Sequence, residues 1–184
     1  MNNELEALHA VVARLEGAGI PYMLTGSVAM SFYAEPRMTR DIDFVVELAA
    51  EDAERVTQLF SPDYYVSEEA VQAAIAAQGM FNVFDLARLV KVDLVVRKDE
   101  EFRRHEFSRR QRFQLRGKDL WIVSKEDLIL SKLAWARDSE SAQQMDDARK
   151  LLASGADEAY LREWSGKVGV EDLLRKCFDA GHGA

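Results

Sequence analysis

Hydrophobic and polar residues follow two different periods along the first 123 residues of the chain. Leucines and valines recur every three or four residues over 4–18, which predicts an amphipathic helix that ends at Gly17 and Gly19. Short apolar runs bounded by turn residues predict strands. The predicted strands lie in "PYMLT", "DIDFVVEL", 80–86, 90–96 and the hairpin "RFQLRGKDLWIVS", and the predicted helices between them are 27–34, "AEDAERVTQLF" and "SEEAVQAAIAAQG".

From Ser124 onward the pattern is that of helices only. Four segments begin with polar or acidic cap residues and carry apolar residues at helical spacing. They are "SKEDLILSKLAWARD", "SAQQMDDARKLLA", "DEAYLREWSGKVG" and "VEDLLRKCFDAG". The sequence therefore predicts an α+β fold, with a mixed β-sheet flanked by helices over 1–123 and a C-terminal helical bundle over 124–184.

The composition is that of a globular domain with a hydrophobic core. The chain has 184 residues, of which 48% are hydrophobic, and a formal net charge of −8. The N-terminal segment is charged where a signal peptide has an apolar core, and no apolar run approaches the ~20 residues of a membrane span. A single cysteine, Cys177, excludes a disulfide framework and a Cys-rich zinc site. We therefore expect a cytoplasmic protein that does not contact a membrane.

Positive charge is concentrated in one segment of this acidic chain. Six arginines, a lysine and a histidine lie in "FRRHEFSRRQRFQLRGK", residues 102–118. The acidic total argues against a protein coated in positive potential for duplex nucleic acid, although the segment could form a local polyanion site. A charge run is also typical of a solvated strand or hairpin surface, so both interpretations stay open.

Two aspartates interrupt the predicted strand "DIDFVV". Because side chains of a strand alternate between faces, Asp41 and Asp43 share one face while Ile42 and Phe44 share the other. Two carboxylates roughly 6–7 Å apart repel each other unless a cation lies between them, and Mg²⁺ prefers such oxygen ligands. The alternative is a solvated edge strand, although Asp is depleted in strands and the apolar residues that follow indicate a partly buried element.

A second predicted strand, "KVDLVV", repeats this pattern around Asp93. If the two strands are neighbours, three carboxylates form a cluster that could hold two metal ions and a transferring phosphate. Alone, Asp93 would be interpreted as an aspartate at a hairpin end. Gly26 and Ser27 lie at a predicted strand-to-helix turn, where a glycine permits close approach of a phosphate and the first helical amides can bind an anion. Ser27 is equally a common helix N-cap.

Together these motifs resemble the signature of the nucleotidyltransferase superfamily, which has the polymerase-beta-like fold. That signature is Gly-Gly or Gly-Ser at a strand-to-helix turn, then Asp-x-Asp, then one more Asp on a later strand. The segment "GSVAMSFYAEPRMTRDIDFVV" is similar to the AbiEii/AbiGii-type toxin group and its small bacterial relatives, because Arg37 and Thr39 precede the aspartates as in Arg-x-Thr-x-Asp-x-Asp. The similarity covers about 20–152 and extends to a lysine and an aspartate on later helices, which match Lys132 and Asp147.

The resemblance implies a metal-dependent enzyme that transfers a nucleoside monophosphate from a nucleoside triphosphate such as ATP to a hydroxyl acceptor. Asp41, Asp43 and Asp93 would bind Mg²⁺ or Mn²⁺, and Asp93 would also orient or deprotonate the acceptor. The other matched residues would bind the nucleotide, with Lys132 also counted as catalytic: Gly26, Ser27, Arg37, Thr39, Lys132 and Asp147. The implied acceptor is an RNA end, such as that of tRNA, or a protein side chain, and the implied partner is a cognate toxin or antitoxin.

Several assignments have alternatives at the level of residues. Lys132 borders an apolar helical stripe and could extend its stem over the core towards water. Asp146 competes with Asp147, and Arg37 could brace the aspartates or contact a phosphate. As a whole the fold could serve as a non-catalytic binding or antitoxin module, or as a phosphohydrolase, although no histidine–aspartate pair supports the latter. The histidines are expected at the surface: His9, His105 and His182.

Overall fold

The structure is a computed structural model that describes residues 2–37, 39, 41–61 and 63–181. Its strands are β1 Tyr22–Thr25, β2 Asp41–Val46, β3 Tyr64–Tyr65, β4 Met80–Asp85, β5 Val90–Val96, β6 Gln111–Leu115 and β7 Lys118–Ile122. Within the described residues they form one seven-stranded sheet in the order β3-β4-β5-β2-β1-β7-β6. β2 runs parallel to β5 and antiparallel to β1, which runs parallel to β7, so the predicted mixed sheet is confirmed.

Helices cover the sheet and make up the C-terminal part of the chain. They are α1 Asn2–Gly17, α2 Gly26–Met30, α3 Ala53–Phe60, α4 Glu68–Ala77, α5 Glu101–Ser108, α6 Lys125–Ser139, α7 Ala142–Ala153, α8 Glu158–Val168 and α9 Glu171–Gly181. A 3-10 turn, Ala50–Asp52, leads into α3. In the part of the chain that the structure describes, no helix has the length and apolar character needed to cross a bilayer.

The two faces of the sheet have different environments. One face carries fully buried apolar side chains such as Phe44 and Leu94, and α1 and α4 contact this side of the sheet. Removing each such side chain from water contributes about 1.5–3 kcal/mol. The opposite face carries the aspartates of β2 and β5, and only part of it is covered, by α2, against which α6 packs. A partly open sheet face therefore lies beside a wall of helices formed by α2 and α6, which we call the helical wall.

The C-terminal helices begin where the sequence predicts them to begin. Ser124, Ser141 and Asp157 each accept a hydrogen bond from a backbone amide in the first turn of α6, α7 and α8. Such caps stabilise a helix by about 1 kcal/mol each. The helical bundle is confirmed, while the division of the chain into units 1–123 and 124–184 remains a prediction, because α6 also packs against α2 of the first unit.

The arginine-rich segment contains a helix that the pattern did not predict. Phe102, Glu106 and Phe107 of α5 are buried. The helical spacing of the two phenylalanines is difficult to recognise in the sequence, because most of the neighbouring residues are charged. Most of the arginines lie against partners within the protein: Arg103 on Glu106 at 2.9 Å, Arg104 on Asp99 at 2.8 Å, Arg109 on Asp127 at 3.1 Å, Arg112 on Asp119 at 2.8 Å, and Arg110 over the rings of Phe107 and Trp121. Most arginines of the segment are thus engaged within the protein, and Arg109 connects it to α6.

Two smaller expectations also change. The helix predicted over 27–34 is α2 Gly26–Met30, and the chain then turns as far as residue 34 instead of continuing the helix. Five residues are little more than one turn, so α2 contributes only a small helix dipole. The two-residue edge strand β3 was not predicted, since its tyrosines follow a turn and are too few to show an alternating pattern.

Candidate active site

The strand register brings the aspartates of the two similar strands together. Asp43 on β2 lies directly opposite Asp93 on β5, and Asp41 lies opposite Lys91. Partners in register point to the same face of a sheet, so the three carboxylates and the lysine form one cluster. Asp93 is buried, whereas Asp41 and Asp43 are half-buried.

Lys91 contributes the cation of this cluster. Its Nζ lies 3.0 Å from Oδ2 of Asp93 and 3.8 Å from Oδ2 of Asp41. The second oxygen of Asp93, Oδ1, is buried and has no hydrogen-bond partner among the described residues. An unpartnered buried carboxylate oxygen costs free energy, so Oδ1 of Asp93 is a candidate ligand atom for a cation.

Asp43 has a raised pKa in this cluster. Burial, together with the neighbouring charges of Asp93 and Asp41, raises the pKa of Asp43 from 3.8 to about 6. Lys132 and Lys91 oppose this shift without cancelling it. Carboxylates whose pKa is raised by burial and by like charges are typical of functional sites, because a bound cation would relieve the repulsion.

A second polar cluster connects α7 to the turn beside the carboxylates. Asp147 is fully buried and accepts hydrogen bonds from Arg37 Nε at 3.1 Å and from Lys132 Nζ at 2.7 Å. Gln143 Nε2 donates to the same carboxylate at 3.1 Å, and Arg37 also donates through Nη2 to the Ser27 hydroxyl. Asp147 thus fixes two cations, and of the two candidates Asp146 and Asp147 it is the one in the site.

These contacts exclude one of the two alternatives for Lys132, the extension of its side chain to water. Its side chain is only 3% exposed, so the ammonium does not reach water across the core. Burial would raise the pKa of Asp147, but the hydrogen bond and charge of Lys132 outweigh it, with smaller effects from Gln143 and Arg37, and the pKa is lowered. The cluster therefore joins Arg37 and Lys132 to Asp147, next to the carboxylates.

Gly26 shapes the turn between β1 and α2. It has a φ of +67°, and a Cβ atom at this position would lie 2.1 Å from Oδ2 of Asp43. Glycine adopts positive φ without strain, and its missing side chain is what allows Asp43 to lie against the turn. The glycine of the Gly-Ser motif is thus required by the carboxylate cluster itself.

We expect Gly26→Ala to destabilise the protein by about 1–3 kcal/mol, because alanine is strained at this φ and its methyl group collides with Asp43. Urea unfolding measures this loss. Gly117→Ala is a matched control, since Gly117 also has positive φ, +80°, but its Cβ would have no neighbour within 4 Å. A loss no larger than that of the control would contradict the proposed contact with Asp43.

Beyond Asp93 the same sheet face is open. Asn82 on β4 lies opposite Asp93, Phe84 lies opposite Lys91, and Tyr65 on β3 lies opposite Phe84. Asn82 is exposed, Phe84 is half-buried and Tyr65 is 66% exposed. These residues form a shelf (Asn82, Phe84 and Tyr65) that the sequence analysis missed, because only the register places them beside the aspartates.

The remaining predicted residues lie at the edge of the site or outside it. Thr39 donates a hydrogen bond to the backbone carbonyl of Asp41 at 3.4 Å and so adjoins β2. His9 lies on α1, and His105 on α5 stacks on Trp164 with ring centroids 4.1 Å apart. His182 lies outside the described residues.

The donors of the carboxylate cluster suit Mg²⁺ or Mn²⁺. Both ions favour carboxylate oxygens, and the unpartnered Oδ1 of Asp93 is an available ligand. As the side chains stand, no three His, Cys, Asp or Glu residues in the described part of the chain are grouped so as to hold a metal ion. Asp41 and Asp93 instead both approach the Lys91 ammonium. The residue types therefore fit a metal, while the arrangement is that of a cluster neutralised in part by lysine.

A cavity of about 630 Å³ lies apart from these clusters. It is bounded by the C-terminal end of α6, the start of α7 and the start of α9, with Arg137, Met145, Val170 and Leu173 among its lining residues. None of the candidate site residues lines it. The candidate active site is therefore the partly covered sheet face and its helical wall.

Solved structures of low sequence identity have the same fold. The antibiotic-resistance factor ANT(2'')-Ia matches at a TM-score of 0.59 and 15% identity, over 98% of this chain and 96% of that chain. The lincosamide antibiotic adenylyltransferase LnuA, bound to lincomycin, matches at 0.55 and 12%, over 81% and 96%. An antigenic nucleotidyltransferase-like protein from Paracoccidioides brasiliensis matches at 0.55 and 16%, over 82% and 75%.

The chain therefore has the nucleotidyltransferase fold. No protein-family model matches it, and no curated protein is similar to it in sequence. The similarity to the AbiEii/AbiGii-type group in particular remains a prediction from the motif around Arg37 and Asp41. At 12–16% identity the structural matches establish the fold alone, so the activity is argued from the site.

Proposed function

We propose that the protein is a metal-dependent nucleotidyltransferase that transfers a nucleoside monophosphate from a nucleoside triphosphate to a hydroxyl acceptor. The observation that carries this proposal is the register of β2 and β5, which sets Asp43 opposite Asp93 with a buried, unpartnered oxygen on the latter. A carboxylate pair of this kind is costly to a fold that does not use it. The nucleotidyltransferase fold supports the same assignment.

The nucleotide would bind on the side of the helical wall. Arg37 and Lys132 lie together around Asp147, and guanidinium and ammonium groups are the ones that bind the phosphates of a triphosphate. The Ser27 hydroxyl, which accepts a hydrogen bond from Arg37, would contact the same phosphates. Gly26 and Thr39 adjoin this position and complete the proposed nucleotide contacts.

The carboxylates would act on the reacting atoms. Asp41, Asp43 and Asp93 would hold Mg²⁺ or Mn²⁺. When bound, such an ion would neutralise phosphate charge and make the acceptor oxygen a better nucleophile. The Asp93 carboxylate would orient the acceptor hydroxyl and accept its proton on the oxygen that does not bind the metal. The hydroxyl oxygen then forms a bond to the α-phosphorus, the bond from that phosphorus to the bridging oxygen breaks, and pyrophosphate leaves. Lys132 compensates negative charge on the phosphates, and rigid placement of both substrates supplies much of the rate.

The acceptor would approach over the open shelf of Asn82, Phe84 and Tyr65, since α2 and α6 cover the other side. An RNA end or a protein side chain remains the acceptor that the motif implies, in a toxin–antitoxin setting. The charge argument for RNA is weaker than the sequence indicated, because most arginines of 103–116 are engaged within the protein. ANT(2'')-Ia has been solved in complex with adenylyl-2''-tobramycin, so small polyhydroxyl compounds belong in the acceptor screen.

The test is transfer of label from each of the four α-³²P nucleoside triphosphates, with MgCl₂ or MnCl₂, to total RNA, cell extract or an aminoglycoside panel. We expect labelled acceptor from the wild-type protein and a loss of about a hundredfold or more in Asp93→Asn. Asp99→Asn is the matched control, because Asp99 is 68% exposed in the loop that follows β5. Transfer that persists in Asp93→Asn, or absence of transfer to every acceptor, would count against the proposal.

The shelf leads to a prediction about acceptor binding. Phe84→Leu keeps an apolar side chain opposite Lys91 but removes the aromatic face, so we expect the acceptor KM to rise about two- to tenfold. The KM for the nucleoside triphosphate should stay the same, since the nucleotide lies on the other side. Leu89→Ala, at an exposed turn, is the control. An equal rise in both KM values would contradict an acceptor-side role.

A non-catalytic binding or antitoxin module is the second candidate, and one observation favours it. Lys91 already contacts two of the three aspartates, and a permanent lysine counterion would let the fold keep these acids without a metal. Such a module would bind no divalent cation at the cluster, which separates it from the enzyme.

A further inference from the structure

Lys91 is the one member of the carboxylate cluster that the proposed reaction does not use. It lies opposite Asp41 in register and two residues from Asp93 on the same face of β5. The backbone of two adjacent strands thus sets its ammonium between the two carboxylates, at 3.8 Å and 3.0 Å. The position of the Lys91 ammonium is therefore set by the strand register.

The neutralisation by Lys91 is incomplete. One ammonium faces three carboxylates, so the cluster would keep a net charge of about −2 when all are ionised. Oδ1 of Asp93 has no hydrogen-bond partner in the described part of the chain, although Oδ2 of the same carboxylate is paired. The cluster therefore retains both charge and a ligand atom for a further cation.

The Lys91 side chain can move from the carboxylates into solvent, whereas that of Lys132 is buried. Its side chain is 39% exposed, whereas that of Lys132 is 3% exposed and held by Asp147. A lysine ammonium is a compact charge on a flexible stem, and water can solvate it when its partner is taken by another cation. Lys132 has no comparable access to water.

We propose that Lys91 is a built-in counterion of the metal-binding cluster. It holds Asp41 and Asp93 together in the metal-free protein, and it moves into solvent when a divalent cation takes those carboxylates. This rests on the proposed function in one respect, namely that the three aspartates bind such a cation. Lys91 is then a positioning residue whose competition with the metal lowers the affinity for metal in the absence of nucleotide.

The test measures binding of Mn²⁺ alone to the full chain, without nucleotide, by electron paramagnetic resonance of the free ion. Lys91→Met keeps an apolar stem and removes the charge, so we expect it to bind Mn²⁺ on the order of tenfold more tightly than the wild type. Lys98→Met is the matched control, because Lys98 follows β5, is exposed and pairs with Glu100, at 3.9 Å, outside the carboxylate cluster. Its affinity should equal that of the wild type.

A second measurement separates a counterion from a lysine that merely packs its stem. In EDTA, Lys91→Met leaves the carboxylates uncompensated, so its Tm should be about 2–4 °C below that of the wild type. Saturating Mn²⁺ should remove this difference, since the ion then compensates the same charges. A stem-packing role would lower the Tm equally with and without Mn²⁺.

Each outcome bears on a different statement. Tighter Mn²⁺ binding by Lys91→Met together with a metal-reversible fall in Tm supports the counterion. Equal or weaker Mn²⁺ binding by the variant overturns it, and the metal site of the proposed function then stands alone. If neither protein binds Mn²⁺, both the counterion and the metal-dependent reaction are wrong, and the binding module is favoured.

Discussion

Asp43→Asn is expected to abolish nucleotidyl transfer while making the metal-free protein more stable. Transfer should fall at least about a hundredfold, because a neutral amide does not bind a divalent cation as a carboxylate does. Stability should rise because Asp43 is held, by burial and by Asp93 and Asp41, in a place that disfavours its charge. A substitution that removes function and adds stability is typical of a residue retained for function.

The gain in stability should depend on pH. The pKa of Asp43 is about 6 in the folded protein and 3.8 ordinarily, so the folded state binds more protons than the unfolded state between pH 4 and 6. The free energy of unfolding of the wild type therefore falls as pH rises through this window, and the penalty is complete above it. Asparagine does not titrate, so the advantage of Asp43→Asn grows from pH 4 to 6 and then stays level. After allowance for solvent screening we expect on the order of 1–2 kcal/mol at pH 8.

Urea unfolding in EDTA at several pH values measures this advantage. Asp99→Asn provides the control, because it removes an exposed carboxylate outside the cluster. A variant no more stable than the wild type at pH 8 would show that Asp43 is not strained. The loss of transfer is scored separately, so a structural effect and a catalytic effect do not obscure each other.

Asp147→Ala is expected to lower the free energy of unfolding by about 3–5 kcal/mol. The substitution removes the partner of the buried Lys132 ammonium and breaks the contact with Arg37, and an uncompensated buried charge is costly. Asp146→Ala is a control of the same chemistry one residue away, since its ion pair with Lys150 at 2.8 Å is half-exposed. Its cost should be no more than about 1 kcal/mol.

The pH dependence of this prediction has the opposite sign to that of Asp43. The pKa of Asp147 is lowered in the folded protein, so its stabilisation is fully present above the ordinary Asp pKa and is lost as pH falls through the folded value. The difference between wild type and Asp147→Ala in urea unfolding should therefore be largest near pH 7 and shrink in acid. Equal costs for the two alanine variants would place Asp147 outside any essential ion pair.

Most secondary-structure elements of this protein could be identified from the amino-acid sequence. Apolar residues at a period of two or of three to four depend on local backbone geometry, so β2, β5 and the C-terminal helices could be predicted from neighbouring residues alone. The pattern that repeats around Asp43 and Asp93 was informative for the same reason, since each aspartate interrupts a core strand. α5 was missed because charged residues surround its few inward apolar side chains.

Which of these residues contact one another depends on how the elements pack in the folded chain. Register is a property of two strands that are far apart in the chain, and it sets Asp43 against Asp93 and Lys91 against Asp41. The same holds for Asp147, which reaches across from α7 to Arg37 and Lys132. Local sequence encodes the direction of each side chain within its own element, whereas distances between elements follow from the packing of the whole core. The Lys91 counterion and the open shelf beside the aspartates both depend on these distances between elements.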